Sequence, residues 1–228
     1  MIKHIFLDLD NTILDFDIAE DVALTRVMKE FGIDVTDENK KTYIKINEDE
    51  WGMYERGEKT QDALRVDRFS RFFEAIGNKH SGKEGEALYT KYLSVGHWFV
   101  DGALELLQDL SKDYKLYLAS NGISSIQRGR LSSAKIDEYI TDTFISQEIG
   151  VNKPSKEYFD YCFSKIEGFK PEEAIMIGDS LSSDIKGAVN AGIKSIWFNR
   201  KNQENKKDFK PTFTVNSLKD ISEIIRGI

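Results

Sequence analysis

Hydrophobic positions along this chain fall into two patterns. Residues 2–9 are almost continuously apolar, the pattern of a strand buried on both faces rather than one that alternates. Three later runs repeat it, at 114–119 (YKLYLA), 174–177 (AIMI) and 195–198 (SIWF). Helical patterns lie between and after them. Alternating strands and helices predict an α/β fold, a Rossmann-like doubly wound parallel sheet.

One stretch breaks the alternation. From residue 17 to residue 95 the pattern is helical throughout. Leu24, Val27, Met28 and Phe31 recur at helical spacing, with Gly32 placed to end the helix. Phe69, Phe72, Phe73 and Ile76 repeat the motif, with Gly77 after them and Thr60 or Asp62 as the N-terminal cap. An all-helical segment of this length directly after the first strand predicts an inserted subdomain at 17–95, with a core formed by 1–16 and 96–228. Residues 213–215 read as an edge strand and 217–225 as a closing amphipathic helix.

Composition narrows the function classes. The chain has 228 residues, of which 40% are hydrophobic, enough for one full core plus a smaller appended unit. The net charge is -7 and no run of Lys and Arg builds a basic face, so no nucleic-acid partner is expected. No stretch approaches the roughly 18 apolar residues of a membrane span. Asp8 and Asp10 interrupt the apolar N-terminal run, which argues against a signal peptide. Cys162 is the single cysteine, which excludes an internal disulfide and a zinc-finger spacing. These features predict a cytoplasmic protein without a membrane partner, a monomer or weak homo-oligomer.

Chemistry concentrates where strands end. The first strand closes in FLDLDNT, and Asp8 and Asp10 project to the same side of an extended backbone. Two carboxylates inside an apolar run are costly unless a cation offsets them. The stretch IMIGDSLSSD repeats that grammar. Gly178 gives a tight exit, Asp179 stands at the carboxyl end of its strand, and Asp184 follows in the first turns of a helix. Ligands of open α/β sheets bind at those carboxyl ends, so Asp8, Asp10, Asp179 and Asp184 are expected to converge. Hard oxygen ligands without His or Cys favour Mg²⁺ over zinc.

Two further elements supply anion contacts. LASNG ends the strand at 114–119 with Ser120, Asn121 and Gly122, a hydroxyl and a flexible backbone before a helix N-terminus. Lys153, in GVNKP, is followed by the turn-fixing Pro154. Four carboxylates and one Mg²⁺ leave about -2 of charge, and a phosphate dianion entering that field needs a further cation.

DxDxT, a later strand Ser, Lys-Pro and GDSxxxD, in this order over the whole chain, resemble the haloacid dehalogenase superfamily of phosphohydrolases, and the insertion resembles its C1-type helical cap. WGMYERG at 51–57, SNG at 120–122, Gln127, SQEIGVNKP and WFN at 197–199 are similar to the bacterial pyrimidine 5′-nucleotidase subgroup. Two departures stand out. Ser120 occupies a position where many members carry Thr, which preserves the hydroxyl, and the stretch 99–102 (FVDG) lacks the proline common before the second core helix.

The resemblance implies a mechanism. Asp8 would be the nucleophile and form an aspartyl-phosphate. Asp10 would act as acid to the leaving alkoxide and then as base for water. Mg²⁺ would be held by the Asp8 carboxylate, the Asp10 backbone carbonyl and Asp179, with Asp184 binding it directly or from behind those ligands, and Ser120, the Asn121 amide and Lys153 would hold phosphoryl oxygens. An acid at the second Asp position argues for a phosphate ester, because halide leaves without a proton. The expected substrate is a small phosphomonoester, a pyrimidine nucleoside 5′-monophosphate in the subgroup reading. Trp51, Tyr54 and Arg56 are its specificity candidates, and Arg65 and Arg68 join them as cap residues suited to a nucleotide. An equally good reading makes these side chains helical core aromatics with snorkelling arginines.

Other readings stay open at this level. A sugar-phosphate phosphatase or a phosphomutase uses the same core motifs. A non-catalytic phosphoryl receiver also combines aspartates, a hydroxyl and a Lys on a parallel sheet, but it lacks a helical insertion and carries its acceptor Asp on a later strand. Residues 77–83 (GNKHSGK) match GxxxxGK yet precede Glu84 and follow a helix, the reverse of a P-loop context.

Overall fold

The computed structural model describes residues 1–228, apart from the side chain of Glu55. The chain divides into two compact units, one formed by Met1–Phe16 and His97–Ile228 and the other by Asp17–Gly96.

The first unit is built on a six-stranded sheet, β1 (His4–Leu7), β2 (Lys115–Ser120), β3 (Asp142–Ile145), β4 (Ala174–Gly178), β5 (Lys194–Phe198) and β6 (Phe213–Val215). Its order is β3-β2-β1-β4-β5-β6, and every pairing is parallel. The α/β parallel sheet expected from the sequence is therefore present. Alternate strand residues feed two separate cores. Ile5, Leu7, Leu116, Leu118, Ile175, Ile177 and Ile196 pack with α5 (Ala103–Leu110) and α10 (Ile221–Arg226) on one face. On the other, Phe6, Tyr117, Phe144 and Met176 meet Tyr158, Phe159 and Cys162 of α8 (Lys156–Ser164). Burial on both faces is why the strands read as unbroken apolar runs.

Strand β3 has no counterpart in the sequence reading. It is a four-residue edge strand in which only Phe144 and Ile145 are buried, too short and too polar at its start to give a pattern. The regular part of β1 also ends at Leu7, although the Asp8 N–H still donates to the Ile177 carbonyl at 2.9 Å. The expected closing helix begins with a 3₁₀ turn at Leu218–Asp220 before α10.

Strand order sets the place of the site. The chain runs outward from β1 through β2 to β3, then returns to the opposite side of β1 with β4. Leu7 is level with Leu118 on one neighbour and Ile177 on the other. Asp8, Ser120 and Asp179 therefore leave three adjacent strands at nearly the same height, at the point where strand order reverses.

The second unit is helical: α1 (Phe16–Glu30), α2 (Asp37–Glu55), α3 (Gln61–Ala75) and α4 (Gly82–Leu93). Thr60, not Asp62, caps α3, accepting from the Ala63 N–H at 3.2 Å. Leu64, Phe69, Phe72 and Phe73 of α3 bury an apolar stripe, with the Tyr43 and Tyr89 rings tilted against Phe69 at 5.1 and 5.4 Å. A polar network is buried beside it. Arg68 donates to Glu86 at 2.6 Å and to Asn47 at 3.1 Å, and Asn47 and Tyr89 each donate to Glu20 at 3.0 Å. Residues 77–83 join α3 to α4 and place Ser81 in a capping box with Glu84, the local structure of a helix start.

Candidate active site

The turn after β1 is where the two N-terminal aspartates separate. Asp8 continues the strand, whereas Asp10 lies in an isolated bridge to Leu14, and Asn11 adopts a left-handed conformation at φ 61°. Asn11 Oδ1 accepts from the Phe16 N–H at 3.0 Å and from Arg200 Nη2 at 2.9 Å, while Arg200 Nη1 donates to Asp15 at 2.7 Å. This loop is thus tied both to the start of α1 and to the end of β5.

Carboxylate oxygens of Asp8, Asp179 and Asp184 lie within 4.8 Å of one another. The Asp10 carboxylate is not in that group. Its Oδ2 accepts from Gln127 Nε2 at 2.6 Å, and its Oδ1 takes a short contact from the buried Arg130 guanidinium, both on α6 (Ser124–Ala134). Only three of the four aspartates expected to converge therefore do so through side chains.

Lys153 fills the space between two of those carboxylates. Its ammonium donates to Asp8 Oδ1 at 2.7 Å, to Asp184 Oδ1 at 2.6 Å and to the Ala119 carbonyl at 2.5 Å, which uses all three N–H groups. Burial by itself would lower this ammonium, but the Asp184 and Asp8 carboxylates outweigh it and hold its pKa above the ordinary value. Asp8 moves the other way. Burial pushes its pKa well up; Lys153 opposes this, while Asp184, Asp179 and Asp10 add to it. Asp179 is pushed up to about 7, by burial first and by Asp184 next. Crowded carboxylates of raised proton affinity are what a cation site looks like before the cation is counted. Oxygen donors alone, with no His or Cys, fit Mg²⁺ in chemistry and spacing.

Supporting contacts explain why each side chain stands where it does. Asn121 closes a two-hydrogen-bond clip onto the Lys153 backbone, accepting from its N–H at 2.8 Å and donating to its carbonyl at 2.8 Å. Its side chain positions the lysine, so any contact of Asn121 with an anion falls to its main chain. Trp197 Nε1 donates to the Asp179 carbonyl at 2.8 Å and pins the turn after β4. Asp184 lies in a π-helical turn at Leu181–Ile185 and folds back so that its Oδ2 accepts from the Ser180 N–H at 3.0 Å. Gly178 makes room for it: a Cβ there would stand 2.2 Å from Asp184 Oδ2. That close approach, and not a tight turn, is what requires glycine, since Gly178 has no positive φ.

Sequence reasoning missed Arg130 and Arg200, and it gave Gln127 no role. A signal for the first existed: Gln127 and Arg130 stand at i and i+3 on the same helix face as Leu131 and Ile126, a polar pair on an inward face. Among the proposed specificity residues, Trp51 and Tyr54 meet edge to face at 5.7 Å, and Arg56 pairs with Glu58 at 2.6 Å. Arg65 and Arg68 pair with Glu86 within the helical unit, at 2.8 and 2.6 Å, in keeping with the packed reading of the two.

Acidic residues at the carboxyl ends of central parallel strands, a lysine bridging them and a serine on the neighbouring strand match a known class. The model of the haloacid dehalogenase-like hydrolases matches residues 5–198, and the chain belongs to that family. It is 38% identical over 224 residues to the pyrimidine 5′-nucleotidase PynA of Streptococcus pneumoniae, covering 98% of this chain and 94% of PynA. With the pyrimidine 5′-nucleotidase YjjG of Escherichia coli it shares 31% identity over 97% of this chain and 96% of YjjG. Among solved structures, the HAD-hydrolase YfnB from Bacillus subtilis, crystallised bound to magnesium, superposes with a TM-score of 0.93 at 35% identity, covering 98% of both chains. No helix is long and apolar enough to cross a membrane among the described residues.

Proposed function

We propose that this enzyme is a Mg²⁺-dependent phosphomonoesterase acting through an aspartyl-phosphate on Asp8, with pyrimidine nucleoside 5′-monophosphates as substrates. The observation that carries the reading is the grouping of the Asp8, Asp179 and Asp184 carboxylates, with the Lys153 ammonium bridging Asp8 and Asp184 and the Asp10 carboxylate engaged by its own donors. Phosphoryl transfer asks for positioning and charge neutralisation around an in-line centre, and this arrangement offers both.

In the first half-reaction an Asp8 oxygen bonds to phosphorus as the bond to the ester oxygen breaks. Asp10 delivers its proton to the departing alkoxide. In the second, Asp10 takes a proton from water, the resulting oxygen attacks phosphorus, and the bond to Asp8 breaks, releasing inorganic phosphate. Lys153 and the Ser120 hydroxyl stabilise the phosphoryl oxygens, Lys153 by exchanging one of its present acceptors for the anion. Asp8, Asp179, Asp184 and the Asp10 carbonyl would hold Mg²⁺, which supplies positive charge to the phosphoryl group when bound. We assign base recognition to Trp51, Tyr54 and Arg56 of the helical unit, taken as the cap at 17–95. The similarity to PynA and YjjG supports the nucleotide substrate.

The test is phosphate release from a panel of nucleoside 5′-monophosphates and sugar phosphates, each with Mg²⁺ and with EDTA. Metal-dependent release favouring UMP, dUMP or dTMP is expected. Release favouring sugar phosphates keeps the core chemistry and removes the nucleotide assignment.

A further inference from the structure

Two groups of this site are joined by one side chain to which the mechanism above gives no task. Gln127 is 2% exposed and donates from Nε2 to Asp10 Oδ2 at 2.6 Å and to Ser120 Oγ at 2.8 Å. An amide nitrogen carries two N–H groups, so both are spent on the site. Its Oε1 accepts from Arg130 Nη1 at 3.3 Å. A guanidinium has donors only, so this contact settles which end of the amide faces Asp10 and Ser120. Arg130 is itself fully buried, and its guanidinium carbon lies 5.5 Å from the centre of the Phe16 ring. Gly122 leaves the passage open: a Cβ there would stand 2.4 Å from Gln127 Nε2.

The consequence falls on the Ser120 hydroxyl. Its oxygen accepts from Gln127 Nε2 and from the Gly122 N–H, the latter at 3.1 Å. A hydroxyl has two lone pairs and one proton, and with both pairs engaged the proton can only be donated. A hydroxyl already committed to donating needs no reorientation when an anion arrives. We infer that Gln127, oriented by Arg130, is a positioning residue that commits Ser120 to donate to a phosphoryl oxygen and holds the Asp10 carboxylate for the leaving group. This rests on the phosphatase reading above.

The test compares kcat and KM of the wild-type enzyme and Gln127→Met, with Mg²⁺, on p-nitrophenyl phosphate and on a nucleoside 5′-monophosphate. Loss of Ser120 orientation lowers kcat/KM for both substrates, whereas loss of Asp10 as acid lowers kcat/KM only for the nucleotide, whose alkoxide needs a proton; its loss as base slows the aspartyl-phosphate hydrolysis that both share. Expected are kcat/KM losses of about tenfold on p-nitrophenyl phosphate and about 100-fold on the nucleotide. Equal losses on the two substrates, or none, overturn the inference. Gln127→Glu keeps the side-chain shape and the Arg130 partner but sets an oxygen where Nε2 donates, leaving at most one donor for Asp10 and Ser120, and the same widening of the ratio is expected. That variant decides the matter if the methionine one does not fold. A wild-type enzyme inactive on both substrates overturns the phosphatase reading and this inference with it; active wild type with a matching variant overturns the inference alone.

Discussion

Lys153 donates to Asp8 across 2.7 Å, joining residues 145 positions apart at the carboxyl ends of the sheet. The same ammonium reaches Asp184 at 2.6 Å, so one cation separates two buried carboxylates. Removing it leaves both without compensation. Lys153→Met is expected to lower stability by about 3 kcal/mol, the usual result of deleting one partner of a buried pair. Phosphate release should fall below detection. Denaturant unfolding without metal, together with the release assay, checks both parts, and a variant as stable as wild type contradicts the first.

The roles proposed for Asp8 and Asp10 differ, as their contacts do. Burial disfavours the charged form of Asp8, so Asp8→Asn is expected to unfold at no lower a temperature than wild type while losing all turnover. Asp10→Asn should lower kcat/KM, which reports aspartyl-phosphate formation, by about 10²–10⁴ for esters with alkoxide leaving groups and far less for p-nitrophenyl phosphate. A set of substrates graded in leaving-group acidity reads this directly: a flat profile for Asp10→Asn removes its role as acid.

Gly178 is held to glycine by Asp184 Oδ2, which a Cβ would meet at 2.2 Å. Gly178→Ala is expected to displace the Asp184 carboxylate and cost about 1–3 kcal/mol, as overpacking of a closed interior does. Mg²⁺ binding, followed by calorimetry, should weaken in parallel. Unchanged metal affinity in this variant argues that Asp184 does not take part in holding the ion.

Central elements were legible because their burial is two-sided. Ile5 and Leu7 serve one core and Phe6 the other, so β1 reads as a strand from its apolar run alone. The motif aspartates were visible because they interrupt such runs. Arg130 was not, and Gln127 stood out without a role, because a polar residue on a helix is ordinarily read as solvent-facing, and only the fold shows α6 turning that face toward Asp10. Arg68 was ambiguous in sequence, because a cationic side chain among aromatics suits a ligand contact and a packed core equally; it is buried against Glu86 and over the Tyr89 ring at 4.5 Å. Strand β3 was hidden by its position at the sheet edge, where Asp142 and Thr143 need not be apolar.

The helical unit carries a titration of its own. Glu20 is pushed up to about 7, chiefly by burial, against the Tyr89 hydroxyl and Arg68, which favour its charged form, while Asp17 and Glu48 add to the rise. Asn47 donates to the same oxygen as Tyr89. An acid whose folded pKa exceeds its unfolded value keeps its proton longer in the native state, so the folded form binds more protons between the two values. Stability from this group is therefore fully present below about pH 4.5, declines as pH rises, and is lost above about pH 7. The shift corresponds to about 3 kcal/mol across that window. Glu20→Gln retains an acceptor for Asn47 and Tyr89 but cannot ionise. The variant should gain on wild type by about that amount between pH 4.5 and pH 8, measured by chemical denaturation with a signal from the helical unit. Parallel stability curves for the two proteins would show that Glu20 holds the same proton, folded or unfolded, and that Arg68 compensates its charge in full.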